Sequence, residues 1–356
     1  MHDLSDRLHR LPPRRICIIK PSSLGDVVHA LPILPALRGL FPDARISWVI
    51  HDGLRGLIDG HPELDQVIRF RRGGPGLTLG GVWSVAGLCG RLAAERFDLT
   101  IDLQGLLRSG LMTLATRAPS RVGLADAREG SRWCYTHLVS APRRELHAVE
   151  RILRVAQALG AKNPLPRFTL PIRSDDVIWA QTVLKDVPHP QLVLNLGARW
   201  PTKRWPPQHF AAIARRAVES QGAGLIAVGS ADDRPLVEAL RKELGSLPLL
   251  DLSGRTSLLQ LAALARQSTL FLSNDTGPLH VAAAAGATVV GIYTCTSPQL
   301  TGPFGPNAIA VKTCVWCAAS FRKRCRRLDC FAELGPDRVW PAVESRLAAA
   351  AEGAAA

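Results

Sequence analysis

Rings are scarce in this 356-residue chain: two tyrosines, nine phenylalanines and eight tryptophans make up 5% of it. Nothing matches an RNA-stacking motif or the pattern of a DNA recognition helix. Long apolar runs are missing too. The longest, residues 281–293, holds two glycines and falls well short of the roughly 20 residues that a bilayer core demands. Residues 1–15 are polar and basic without an apolar centre, unlike a signal peptide, and the chain is expected to stay in the cytoplasm. Acidic residues are also in short supply, 30 against 44 Lys and Arg, for a net charge of +14. That excess calls for an anionic partner: nucleic acid, a membrane surface or a phosphorylated substrate. Residues 1–175 hold 25 basic and 16 acidic residues, the rest 19 and 14, so the charge leans to the first half. Without stacking motifs, nucleic acid is the weaker reading.

What is present is a chain that is 47% hydrophobic, with 30 glycines and 26 prolines, large enough for two cores. Disorder is expected only at the ends, with a fraying Ala-rich helix after Leu347. Residues 15–20 read as a buried strand, 21–26 as a turn and 27–40 as a helix. Further strands are expected at 46–50, 66–70, 99–102 and 121–123, with helices at 83–94 and 148–159. After a break at 160–173, strands at 192–196, 224–228, 249–252, 270–273 and 288–292 alternate with helices starting near Pro207, Arg234, Ser257 and Pro278. Such alternation predicts α/β architecture with two Rossmann-like doubly wound domains, and a central cleft for ligands at the carboxyl ends of their strands.

Within that pattern, Asn274-Asp275-Thr276-Gly277-Pro278-Leu279-His280 reads as a helix start after a buried strand. Asp275 or Thr276 suits a cap, Gly277 allows close backbone approach, and Pro278 occupies the first turn. Open N–H groups at such an end favour a phosphate, with His280 one turn in as a further donor. A well-capped structural helix has the same signature. Asp26 lies at the strand-to-helix turn Pro21-Ser22-Ser23-Leu24-Gly25-Asp26, where a carboxylate suits either a base facing ligand or the helix dipole.

Five segments together resemble the ADP-heptose lipopolysaccharide heptosyltransferases of glycosyltransferase family 9. They are Lys20-Pro21-Ser22-Ser23-Leu24-Gly25-Asp26, Asp102-Leu103-Gln104-Gly105-Leu106, His147-Ala148-Val149-Glu150-Arg151, Lys203-Arg204-Trp205-Pro206 and the turn 274–280, in family order over nearly the whole chain. The resemblance implies a GT-B fold, with an acceptor domain at 1–165, a linker at 166–185, a nucleotide-sugar domain at 186–340 and a tail at 341–356. It implies inverting, metal-independent transfer of heptose from ADP-heptose to the Kdo/heptose inner core of lipopolysaccharide, at the inner membrane surface. Asp26 is then the general base, and Lys203 meets the donor phosphates. Asp275, Thr276, Gly277 and His280 form the diphosphate turn, and Asp233 contacts the donor or merely caps a helix. The loop 197–202 lacks the small hydroxyl residues frequent in the family at its start, which leaves donor contacts there undefined. Other nucleotide sugars or a protein acceptor would suit the same fold, and a basic nucleic-acid-binding protein is the alternative of another class.

For an anionic acceptor, candidates are Ser22, Ser23, Gly25, Arg71, Arg72, Gln104, Arg121 and Arg128. Arg69, Arg108 and Arg132 belong to the same basic set. His147, Glu150 and Arg151 would equally staple a helix face. Four cysteines, Cys314, Cys317, Cys325 and Cys330, cluster with short spacing. In a reducing compartment they are compatible with a structural metal, with free thiols or with a bridge. The resemblance makes their loop a scaffold beside the donor site. Cys17, Cys89, Cys134 and Cys295 read as buried thiols.

Overall fold

The computed structural model describes residues 2–71 and 79–355; Arg72 lies outside them. Its chain separates into two compact units, 1–171 and 172–356. The first holds strands β1 Arg15–Ile19, β2 Arg45–His51, β3 Gln66–Phe70, β4 Leu99–Asp102, β5 Ser120–Leu124 and β6 His137–Val139. Its helices are α1 His2–Arg10, α2 Leu24–Ala30, α3 Ile33–Leu40, α4 Leu79–Ala94, α5 Leu107–Ala115 and α6 Ala148–Ala158. The second holds β7 Gln191–Asn195, β8 Gly224–Val228, β9 Leu249–Asp251, β10 Leu270–Asn274, β11 Val289–Tyr293 and β12 Ala308–Lys312. Its helices are α7 Ser174–Leu184, α8 Pro207–Gln221, α9 Arg234–Leu244, α10 Leu258–Gln267, α11 Gly277–Ala284, α12 Pro298–Thr301, α13 Asp329–Glu333 and α14 Pro336–Ala355.

Both sheets are fully parallel and share one topology. The orders are β3-β2-β1-β4-β5-β6 and β12-β11-β10-β7-β8-β9. Each reverses direction midway, between β1 and β4 or between β7 and β10, and loops leaving the carboxyl ends there diverge to open a crevice. Parallel strands are covered by helices on both faces, which is why Ile16, Cys17, Ile18 and Ile19 are all fully buried in an unbroken apolar run. In the second sheet the faces alternate. Leu192, Leu194, Leu270 and Leu272 pack with Trp205 and Phe210 on one side, while Val193, Ile226 and Phe271 pack with Ala263 and Leu279 on the other.

Several elements differ from the expectations. The short edge strands β6 and β12 were not anticipated, because three residues or a half-buried edge leave little hydrophobic pattern. The N-terminal segment, for which no element was expected, forms α1, since Leu4 and Leu8 fall one turn apart and are buried. Helix α7 lies within the expected linker 166–185 and packs on α10 through Ala180 and Leu184. Helix α14 runs through the expected tail boundary at 341, with Val339, Val343 and Leu347 fully buried at helical spacing. Among the described residues no helix is long and apolar enough to cross a membrane.

Gly123 shows how tightly the first sheet is built. A Cβ there would run into the ring of Tyr135, whose hydroxyl donates to Asp102 Oδ2 at 2.7 Å. Gly123→Ala is expected to cost about 1–3 kcal/mol by overpacking, read as a lower urea midpoint with unchanged slope.

Candidate functional site

The motif loops leave the sheets at their two switch points. In the first unit, β1 runs beside β4 with Ile19 opposite Asp102, so residues 20–26 and 102–105 emerge side by side. Asp26 is the third residue of α2. Its Oδ2 accepts from the Ser23 backbone N–H at 3.0 Å and from the Ser23 hydroxyl at 2.6 Å, a reciprocal cap that fixes the carboxylate at the helix start. Burial pushes the Asp26 carboxyl up, but the Lys20 ammonium, both Ser23 bonds and His29 outweigh it and hold it down at about 2. The residue keeps an exposed face, so water shares part of that charge. Asp26 is therefore a carboxylate throughout the neutral range.

Lys20 is 7% exposed and donates to the Leu103 carbonyl at 3.0 Å. Burial lowers its pKa against the pull of Asp26 and Asp102, and Arg151 and Arg143 push the same way. Asp102 is fully buried. Its Oδ1 accepts from the Gln104 and Gly105 N–H groups at 2.7 and 3.1 Å, which closes the turn, and burial raises its pKa. Gly105 needs its positive φ of 66° for that turn.

These loops frame two recesses. One, of about 140 Å³, is lined by Lys20, Asp26, Gln104, Asp126, Arg128, Arg143 and Arg151, and is strongly polar. The other, of about 300 Å³, is lined by Pro21, Ser22, Phe70, Gln104, Leu106, Arg108, Ser109 and Glu129. Gln104 borders both, and its Oε1 is buried without a partner among the described residues. Arg108 lies over Phe70 at 5.9 Å.

The structure thus gathers Ser22, Ser23, Asp26, Gln104 and Arg128 at one crevice. Gly25 sits behind them in the first turn of α2. Arg121 belongs elsewhere: at the start of β5 its guanidinium donates to the carbonyls of Ala118 and Cys134 at 2.7 and 2.9 Å, a scaffold role. Arg71 pairs with Asp52 at 3.1 Å beyond β3. His147 and Glu150 form a cap on α6, while Arg151 bonds Asp126 at 2.6 Å and lines the recess. Sequence reasoning missed Lys20 as a site residue, although it stands in the motif, and missed Arg143 and Asp126, which no local pattern marks.

In the second unit β7 runs beside β10, with Asn195 opposite Ser273. Asn274 is fully buried and locks the two loops together, donating to the Leu196 carbonyl at 2.7 Å and accepting from Trp205 N–H at 3.1 Å. Asp275 follows, 4% exposed. Lys203 Nζ reaches its Oδ2 at 2.5 Å, the Thr296 hydroxyl donates to the same oxygen at 2.6 Å, and His280 Nε2 stands 3.5 Å from Oδ1. Burial pushes the Asp275 carboxyl up, but His280 and Lys203 overcome it and hold it far below the usual range. Thr276 occupies the N-cap position of α11 with no side-chain capping bond, and Gly277 and Pro278 open its first turn. Thr296 was absent from the sequence reading because it arrives from beyond β11. Asp233 is also a cap: its Oδ2 accepts from the Ser230 N–H at 2.8 Å and hydroxyl at 2.7 Å. A Cβ on Gly197 would come within 2.5 Å of that carboxyl, so a larger residue there would displace the Asp233 side chain.

A depressed carboxyl pKa stabilises the fold above the unfolded value, 3.8 for Asp275, and that contribution fades as pH falls toward the folded value. Asp275→Asn should therefore melt below the parent at neutral pH, and the gap should narrow between about pH 5 and about pH 3. A pH-independent gap would contradict this electrostatic role.

The structural-metal reading of the cysteine cluster finds no support, and of the three states left open the structure shows free thiols. All eight thiols are free, and among the described residues no group of three or more His, Cys, Asp or Glu is placed to hold a metal. Cys314 and Cys325 are exposed along a loop crowded by arginines, and Cys314 Sγ instead accepts from Arg338 at 3.2 Å. Cys89 is half-buried, the other three singletons buried. The loop is nonetheless tied to the Lys203 segment, for Thr202 donates to the Arg322 carbonyl at 2.7 Å, and Lys203 and Lys323 lie 4.8 and 5.5 Å over the Trp200 ring.

Comparison with known proteins gives a consistent pattern. The family model for glycosyltransferase family 9 (heptosyltransferase) matches residues 85–330. Lipopolysaccharide heptosyltransferase 1 of Pseudomonas aeruginosa is 30% identical, over 94% of this chain and 98% of its own. A family 9 glycosyl transferase from Veillonella parvula superposes with a TM-score of 0.81 at 23% identity, over 94% of this chain and 97% of its own. Escherichia coli heptosyltransferase WaaC, solved with ADP, gives 0.74 at 23% identity, over 93% of this chain and 99% of its own. WaaC solved with ADP-2-deoxy-2-fluoro heptose gives 0.70, with the same identity and coverage. The fold expected above, a GT-B pair of doubly wound domains, is the fold these structures share.

Proposed function

This chain belongs to glycosyltransferase family 9, the heptosyltransferases, and from that premise we propose that it moves heptose from ADP-heptose to the inner core of lipopolysaccharide with inversion at the anomeric carbon. Membership removes the nucleic-acid-binding alternative. One observation carries the finer reading: Asp26 in the first unit, and Lys203 with Asp275 in the second, each stand at the switch point of their own sheet, where doubly wound domains bind ligands.

In this reading the acceptor hydroxyl gives its proton to Asp26. Both Ser23 bonds fall on Oδ2, so Oδ1 is the oxygen offered to the acceptor. Arg128 and Arg143 meet the acceptor's anionic groups, and Gln104 Oε1 accepts from a sugar hydroxyl. On the donor side, departure of ADP builds negative charge on its β-phosphate as the anomeric carbon turns oxocarbenium-like. The Lys203 ammonium and the first-turn N–H groups of α11 receive that charge, with Thr276, Gly277 and His280 at the turn. Asp275 holds Lys203 and His280 in place until the diphosphate arrives. Asp233 lies at the carboxyl end of β8, where it reaches donor hydroxyls. All of these steps use the chain's own groups, with no metal or other cofactor in a chemical role.

A thermal-shift screen tests the donor assignment. ADP-heptose and ADP should raise the melting temperature more than UDP- or GDP-sugars, since only binding to the native state stabilises it. Preferential stabilisation by another nucleotide would overturn the assignment.

A further inference from the structure

The first unit carries an apolar stripe that its core leaves outside. Along α5, Leu107, Leu111 and Leu114 are 45%, 52% and 42% exposed, and their spacing puts them on one face, while Met112 and Thr113 on the other are buried. Beside α5 lies the turn Ser131–Cys134. Gly110 lets that turn come so close that a Cβ there would meet Cys134 Sγ and Ser131 Cβ at 2.9 Å. From this anchored turn Trp133 stands 90% exposed. An exposed apolar group of this size marks a contact surface rather than ordinary scatter.

Charge around the stripe is mainly positive. Arg108, Arg117, Arg128 and Arg132 are all exposed, and no acidic residue occurs from 103 to 125. Glu129 is the acidic neighbour, and it accepts from the Leu107 N–H at 3.2 Å. Apolar residues and tryptophan ringed by arginine fit the boundary of an anionic bilayer, where side chains sink among the acyl chains and guanidinium groups meet lipid phosphates. A second copy of this chain, itself at +14, would bring like charge to the face.

We propose that α5 and the Trp133 turn form the surface by which this protein docks on an anionic lipid bilayer. The surface is continuous with the larger recess, because Leu106, Arg108 and Ser109 at the start of α5 line it. Docking there delivers a lipid-linked acceptor to that recess, a consequence that rests on the function proposed above, although the docking itself does not.

The test is flotation of the full chain with vesicles of phosphatidylcholine, with or without one-third phosphatidylglycerol, for the parent and for the triple variant Leu111→Ser/Leu114→Ser/Trp133→Ser. The parent should float with anionic vesicles, less so in high salt, and the variant should bind at least about tenfold more weakly. Its melting temperature should match the parent's, because the three side chains are exposed. Turnover of a short water-soluble acceptor should persist while turnover of the same acceptor embedded in vesicles falls. Equal flotation of parent and variant, or no flotation of the parent, would overturn the proposal. So would a parent dimer that the variant dissolves in sedimentation, since a second copy would then be the occupant. Normal flotation without heptose transfer to either acceptor would refute the assigned function and leave the docking surface standing.

Discussion

Asp26→Asn should lower turnover by about a thousandfold while leaving ADP affinity within about twofold of the parent, because a positioned base contributes on the order of 10²–10⁴ in rate. Asparagine matches the size of the carboxylate, and its Oδ1 can still accept from the Ser23 N–H and hydroxyl that now bond Oδ2. The cap on α2 therefore survives, and what disappears is the capacity to take a proton. Lys20 loses an opposing charge in the same variant, and its buried ammonium becomes easier to deprotonate. A modest drop in melting temperature is expected from that source. Retained turnover in a folded Asp26→Asn protein would remove Asp26 from the base role.

Lys203→Ala should reduce kcat/KM by about a hundredfold to a thousandfold, the scale seen when one group that receives developing oxyanion charge is deleted. Two losses combine here. The diphosphate loses its ammonium, and Asp275, 5% exposed at its side chain, loses its cationic Lys203 partner while keeping Thr296 and His280. Stripping one member from so enclosed a pair costs up to about 3 kcal/mol, so the kinetics must be read well below the melting point. Lys203→Arg separates the effects. It keeps a charge against Asp275 and should recover most of the stability, but its planar head fits the diphosphate differently and should recover only part of the turnover. Donor affinity and turnover both unchanged in Lys203→Ala would exclude a phosphate role.

Most of the sheet architecture is legible in the sequence because central parallel strands are continuous apolar runs bounded by turn residues, as in Ile16-Cys17-Ile18-Ile19 followed by Lys20-Pro21. The edges are not legible, since β6 and β12 bury only part of their side chains and need a neighbour to define them. Helix α1 escaped notice for a similar reason: two leucines among charged residues acquire meaning only once α6 is there to cover them. Local motifs placed Asp26 and Asp275 at the starts of helices, where the structure has them, because a turn a few residues long encodes that position. Arg121 misled because an arginine beside a strand looks the same whether it faces ligand or holds the carbonyls of Ala118 and Cys134. Lys20 stands inside the first motif but looks like the solvated end of a strand until its burial is seen, whereas Arg143 and Thr296 reach the site across distances in the chain that no spacing encodes; Thr296 meets Asp275 only because β11 lies beside β10.

Incubation of the purified protein with ADP-heptose and a Kdo-bearing lipid acceptor, followed by mass spectrometry of the acceptor and quantification of released ADP, bears most directly on the central claim. The predicted result is one heptose added per ADP released, with an inverted anomeric linkage, and both products formed about a thousandfold more slowly by the Asp26→Asn protein. Undiminished product from Asp26→Asn, retention of anomeric configuration, or transfer from a different nucleotide sugar in preference to ADP-heptose would contradict it.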